Sequence, residues 1–157
     1  MSNSEENQQV TNPWIYKGEV EFEIPEKAIG FIYRISHADG KFYYGRKLLT
    51  KAATKTVNGK KKKIRKASDW QDYWSSSPAL KEWIEKDGLS KFSREILMFV
   101  TTKAALVYAE EYTLFSTGAL FDEKCINGNI RSRIQRTWFN KTPDLQRELE
   151  ATLALLH

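Results

Sequence analysis

The chain has 157 residues, 41% hydrophobic and 13% aromatic, which suits one domain with a real core and argues against disorder over most of its length. A single cysteine, Cys125, excludes an intrachain disulfide, and two distant histidines, His37 and His157, exclude a Cys/His zinc cluster, so any metal must be a hard cation held by oxygen. The net charge of +5 is unevenly spread: residues 41–66 hold eleven of the 25 Lys and Arg residues and no acid, whereas residues 1–27 hold six Glu and two Lys, a local positive field of the kind that meets a polyanion.

Residues 1–13 are polar and aperiodic and read as a flexible tail without the features of a signal peptide. In "WIYKGEVEFEIP", Val20, Phe22 and Ile24 alternate with glutamates, which predicts an edge strand or extended lead-in ending at Pro25. "IGFIYRIS" (29–36) and "KFYYGRKLL" (41–49) are β-branched and aromatic runs separated by "HADG", and the Asp39-Gly40 pair predicts an antiparallel hairpin. Residues 50–66 are basic, poor in apolar residues and interrupted by Asn58-Gly59. They read as a protruding loop or a small second hairpin.

Further along, "SPALKEWIEKDG" (77–88) carries a Ser-Pro start, Leu80, Trp83 and Ile84 at helical spacing, and a Gly88 stop. "FSREILMFV" (92–100) is a third strand, and "TTKAALVYAEEYTLFSTG" (101–118) a second helix with a Thr cap and a wide apolar face. After "ALFDEKCINGNI" and basic "RSRIQR", residues 142–156 form a C-terminal helix with Leu145, Leu149, Leu153 and Leu156 on one side. The expected fold is α+β: a small three-stranded antiparallel sheet flanked by helices, occupying residues 14–130 with a basic insertion at 50–66, and a C-terminal helical extension over 131–157. No apolar run is long enough to span a membrane, and the chain is expected to be soluble and intracellular.

"FIY" at 31–33 and "YYG" at 43–45, followed by a helix, a strand, a glutamate-bearing helix and an Asn-containing loop, resemble the GIY-YIG endonuclease family over about residues 28–130. "YWSSSPALKEWIEKDGLSKFSREIL" resembles the stretch after the tyrosine hairpin in many phage-encoded members, where a "GSS" or "GSG" turn precedes the first helix. The resemblance implies cleavage of double-stranded DNA with a divalent cation, Mg²⁺ or Mn²⁺, by a phage-encoded or homing-type enzyme in the cytoplasm of a bacterial or infected cell. It puts the motif tyrosines at Tyr33 and Tyr43, with Tyr44 in the usual isoleucine position and Gly45 retained. The metal-binding glutamate falls on Glu110, and the loop asparagine on Asn127, or on Asn129 in the alternative register. Phe31 replaces the first glycine of the name motif. The family's arginine has no direct counterpart, and its role falls to Arg46, Lys47 or Arg65.

The residues themselves offer matching chemistry. Phosphodiester hydrolysis needs an activated water, charge neutralisation at phosphorus and help for the departing oxygen. One carboxylate can suffice for Mg²⁺, which keeps much of its water shell. Glu110 lies between Leu106 and Leu114 on the apolar face of its helix, where an ionised carboxylate is costly without a compensating cation; Glu111, flanked by Val107 and Phe115, shares that wide face, so periodicity leaves both open. The hairpin allows Tyr33 and Tyr43 to aim at one phosphate while Tyr44 points to the other sheet face. A tyrosine base would need its pKa lowered, a task for Arg46, Lys47 or the metal. Lys60, Lys61, Lys62, Lys63, Arg65 and Lys66, together with Arg131 and Arg133 of "RSRIQRTW", are candidate phosphate contacts. Trp70, Trp74 and Trp83 are candidate base-stacking platforms, with Trp83 at a core spacing. Two rival classes keep the basic character without the chemistry: a catalytically inactive nucleic-acid-binding module and a basic RNA-associated structural protein.

Overall fold

Hairpin closure at Asp39-Gly40 organises the fold. In the computed structural model, which describes residues 12–130 and 136–156, Gly40 lies at φ +95°, a conformation that costs a glycine little and other residues much. Strands β2 (Gly30–His37) and β3 (Phe42–Leu48) leave this turn antiparallel, with Tyr33 opposite Gly45 and Ile35 opposite Tyr43. A second hairpin follows at once: β4 (Thr50–Val57) and β5 (Lys60–Ala67) pair around Asn58 (φ +51°) and Gly59 (φ +75°), the two successive positive φ angles of a type I′ turn. Of the two readings of the basic insertion, the second hairpin is the one formed.

Helix α1 (Pro78–Asp87) starts at Ser77, whose hydroxyl accepts from the Leu80 N–H, and ends at Gly88. Strand β6 (Phe92–Val100) leads to α2 (Lys103–Ser116), capped by Thr102 accepting from the Ala105 N–H at 3.0 Å. These termini follow the caps in the sequence because a side-chain oxygen there satisfies an amide that the helix leaves unbonded. Helix α3 (Leu145–Ala154) buries Leu145, Leu149 and Leu153. Leu145 and Leu149 join Leu106 and Ala109 of α2 and Met98 of β6 in one cluster, so the C-terminal helix is part of the core and not an appendage to it.

The main sheet corrects the expectation of three antiparallel strands. It has four, ordered β1-β6-β2-β3, and β1 (Trp14–Tyr16) runs parallel to β6. The alternating segment after β1 is not a strand: Lys17 and Gly18 turn the chain at positive φ, and Val20 and Ile24 are 58% and 39% exposed. The edge strand forms instead at the preceding "WIY", because Trp14 can bury its indole against Phe31 and Tyr33.

Alternation along β2 divides the core. Phe31, Tyr33 and Ile35 share one face with Trp14, Leu80, Phe92 and Ile96, whereas Ile32 faces Met98, Leu106 and Ala109. A bulge in β6 between the Ile32–Met98 and Tyr33–Ile96 pairs keeps each face apolar on its own side. Strand β3 is the free edge of this sheet, and side chains from both faces meet there. No helix among the described residues is long and apolar enough to cross a membrane.

Candidate active site at the tyrosine hairpin

Tyr33, Tyr43 and Gly45 occupy one face of the β2–β3 hairpin. The Tyr33 and Tyr43 rings lie 6.3 Å apart between centroids. Gly45 permits this: a Cβ there would overlap the Tyr33 ring and its hydroxyl. Tyr44 turns to the opposite face, beside Phe42 and Leu114, as strand alternation requires. Burial raises the pKa of both phenols, most strongly at Tyr33, which is almost fully enclosed. Tyr33 is thereby held as a neutral phenol.

Asn127 fixes the free edge. Its Oδ1 accepts from the Tyr44 N–H at 2.9 Å, and its Nδ2 donates to the Tyr44 carbonyl at 2.8 Å. Phe42 makes similar backbone contacts, donating to the Lys124 carbonyl and accepting from the Ile126 N–H. Asn127 therefore acts as one residue of a neighbouring strand would, aligning the backbone between the two tyrosines and Arg46. Asn129 is exposed.

The opposite face contributes the charges. Glu110 of α2 lies 3.8 Å from Arg46 Nε, with 22% of its side chain exposed. Burial raises the Glu110 pKa, Arg46 pulls it back, and neighbouring Glu111 raises it further. The Glu110 charge also acts on Tyr43 across the edge of the sheet. Glu111 is only 4% exposed. Glu110 stands beside Arg46, and its charge reaches Tyr43.

The candidate cations go to different places. Arg46 meets Glu110. Lys47, one residue on, points to the tyrosine face, 2.6 Å from Asp69 and 3.9 Å from the centroid of the Tyr73 ring. Arg65 braces the second hairpin, donating to Thr50 Oγ1 and to the Thr50 carbonyl. Arg46, Lys47, Lys51 and Lys103 line a cleft of about 410 Å³ between the base of that hairpin and the first turn of α2, with Asp69 as the carboxylate among them. Lys60, Lys61, Lys62, Lys63 and Lys66 are exposed on β5; Arg131 and Arg133 lie outside the described residues.

Several neighbours of the site had no motif to announce them. Tyr73 packs edge-on to Tyr33 at 6.0 Å. Its segment is held by Arg94, 1% exposed, whose guanidinium donates to the Gln71 and Tyr73 carbonyls at 3.1 and 2.9 Å and lies between the Trp14 and Trp74 rings. The tryptophans are framework: Trp70 packs on Phe31, Trp74 on Arg94, and Trp83 stacks on His37 while donating to Asp87. All three are partly buried, and these contacts tie each to the framework.

The SegE_GIY-YIG family model, "Putative endonuclease segE, GIY-YIG domain", matches residues 14–141. The chain belongs to the GIY-YIG endonuclease family. Its tyrosine hairpin, glutamate helix and asparagine loop all fall within that match. No curated protein and no solved structure gives a significant match to the chain.

A raised carboxyl pKa has a signed consequence for stability. The folded state holds the Glu110 proton more tightly than the unfolded chain, so this group's stabilising contribution is present in acid and is lost as pH rises through its folded pKa. Glu110→Gln should therefore raise the urea midpoint of the metal-free domain at pH 7, and the gain should shrink towards pH 4. Urea melts at both pH values check this, and a variant less stable than the parent at pH 7 contradicts it.

Proposed function

We propose that this GIY-YIG domain is a divalent-metal-dependent DNA endonuclease, of the phage-encoded or homing type that its "YWSSSPALKEWIEKDG" stretch resembles. The observation that carries the reading is the meeting of Tyr43, Arg46 and Glu110 at one free strand edge, from two faces of the sheet.

The donor set fits a hard cation. Burial disfavours the Glu110 charge and Glu111 adds to the negative field beside it, an environment that a cation would relieve. Among the described residues no group of three or more His, Cys, Asp or Glu side chains could hold a metal. That argues against an all-protein cage and suits Mg²⁺ or Mn²⁺ held by Glu110, with water and phosphate oxygens completing the shell. Such an ion supplies charge neutralisation at the scissile phosphate and its departing oxygen.

The protein's own groups then divide the work. Tyr43, the less enclosed phenol, positions the attacking water; burial and the Glu110 charge raise its pKa, contrary to the lowering expected from Arg46 or Lys47, so taking up that water's proton would need a bound cation to offset them. Tyr33, almost fully enclosed and kept protonated by burial, acts through Tyr43, whose ring it holds in place. Arg46 offsets negative charge where phosphate and carboxylate approach each other. Asn127 keeps β3 in register beneath all three.

The second hairpin supplies the grip on duplex DNA. Lys51 stands opposite Lys66, and Lys55 opposite Lys62, like-charge pairs that destabilise an isolated ribbon and that a polyanion would neutralise. A two-stranded ribbon also has the width to enter a major groove. The cationic cleft at its base is lined by Arg46, the ion-pair partner of Glu110.

Nicking of supercoiled plasmid tests the chemistry. Cleavage should require Mg²⁺ or Mn²⁺ and be lost in Glu110→Gln, while Tyr33→Phe and Tyr43→Phe should each slow it at least about tenfold, since a positioned acid or base contributes roughly 10²–10⁴-fold, and Tyr44→Phe should be neutral. DNA binding without any metal-dependent nicking would instead support the inactive binding module.

For the ribbon, alanine at Lys60, Lys61, Lys62 and Lys63 should weaken affinity for all duplex sequences and flatten the slope of log K against log salt by about 0.9 per lost phosphate contact. Turnover at saturating DNA should survive. An unchanged salt slope would remove the ribbon from the interface.

A further inference from the structure

Lys51 of β4 and Lys103 of α2 have no part in the chemistry described above, yet both line the cleft that holds Arg46 and Lys47. Both are exposed, and neither forms an ion pair among the described residues. Each also stands where a cation is unfavourable. Lys51 lies opposite Lys66 across the ribbon. Lys103 opens α2, whose first turn carries no acid, so it adds positive charge to the end of the helix dipole that is already positive. An anion in the cleft would offset both.

The cleft already holds an anion of its own. The Asp69 carboxylate lies 2.6 Å from Lys47 Nζ and faces four cations there. Much of the remaining wall is carbon: Leu106 is buried, and Leu48 and Val107 are half-buried. A volume of about 410 Å³ is in the range of small-molecule sites. Exposed cations beside an apolar wall suit a nucleotide better than a bare phosphate, because a deoxyribose has carbon to cover and its phosphate has charge to neutralise. The cleft also adjoins the reacting centre. Arg46 is common to both, and Leu106 lies one turn of α2 before Glu110, about 6 Å along the axis.

We propose that this cleft seats the nucleotide beside the scissile phosphate, with its deoxyribose against Leu106 and Val107 and its outer phosphate on Lys51 and Lys103. This rests on the nuclease reading above and adds to it the part of the strand that is gripped next to the cut. The contacts are to sugar and phosphate, so they position the strand without reading its sequence. Asp69 stands in for phosphate on Lys47 in the free protein and competes with it.

Thymidine 3′,5′-bisphosphate, titrated without metal into the full ¹⁵N-labelled chain, probes the seat. Amide shifts should centre on Leu48, Thr50, Lys103 and Val107. Lys51→Ala and Lys103→Ala should each weaken binding roughly two- to fivefold, and Asp69→Asn should strengthen it by a similar factor, the scale of an exposed charge pair. Misfolding cannot produce both the losses and the gain. Inorganic pyrophosphate, with comparable charge but no sugar, should bind about tenfold more weakly, the scale of covering two methylene-sized groups. Pyrophosphate binding as tight as that of the bisphosphate, or shifts centred outside the cleft, overturns the proposal. On DNA, a neutral methylphosphonate on one side of the scissile phosphate should raise KM in the parent and have no further effect in the Lys51→Ala/Lys103→Ala double variant. An equal rise in that variant would also overturn it. If the parent protein does not nick DNA, the nuclease reading falls, and the bisphosphate titration still decides whether the cleft is a nucleotide seat.

Discussion

The Tyr33 ring and the Gly45 backbone occupy the space that any side chain at position 45 would need, and this contact fixes the register of the β2–β3 hairpin. Strand side chains alternate, so a slip of one residue would send Tyr43 and Lys47 to the α2 side and Tyr44 and Arg46 to the other. The Asp39-Gly40 turn favours one register, and the Tyr33–Gly45 fit penalises the alternatives, overpacking of this kind costing about 1–3 kcal/mol. With the register set, Tyr43 falls beside Tyr33, Arg46 falls beneath α2, and the carboxylate of Glu110 has a cation and a phenol within its field.

Two further devices hold the flanks of this edge. Asn127 bonds the Tyr44 backbone in both directions, and so occupies part of a strand edge that would otherwise be open to another chain. On the tyrosine face, buried Arg94 donates to the Gln71 and Tyr73 carbonyls and holds this segment where Tyr73 packs on Tyr33. Burial lowers the Arg94 pKa to about 10, which leaves it charged at neutral pH. Hydrogen bonds from a charged donor contribute about 1.5–3 kcal/mol each, so this segment is anchored far more firmly than its polar sequence suggests. The rigid tyrosine face contrasts with the second hairpin, which carries its lysines into solvent and brings like charges together.

Much of this was legible in the sequence because local chemistry decided it. Glycines after Asp39 and Asn58, caps at Ser77 and Thr102, and the apolar runs at 29–36 and 92–100 specify turns, helix ends and strands without tertiary help. Strand β1 was not legible in that way. It has three residues, runs parallel, and depends on a pocket for Trp14 made by residues distant in sequence. Arg94 did leave a signal: it stands in phase with Phe92 and Ile96, so strand alternation points it into the core, and a charged residue in that phase demands partners. Helical spacing could not show that Arg46 stands beside Glu110, since Glu110 and Glu111 lie on one broad helix face.

The central claim is that the free edge of β3 is a single metal and phosphate centre built from both faces of the sheet. Paramagnetic broadening by Mn²⁺, measured by NMR on the full chain with a short duplex made uncleavable by phosphorothioate linkages, tests it most directly. The account predicts that broadening centres on Glu110, Arg46 and Tyr43, spares the Asn58-Gly59 turn and α3, and disappears in Glu110→Gln. Broadening centred elsewhere, or retained in full by that variant, would contradict it.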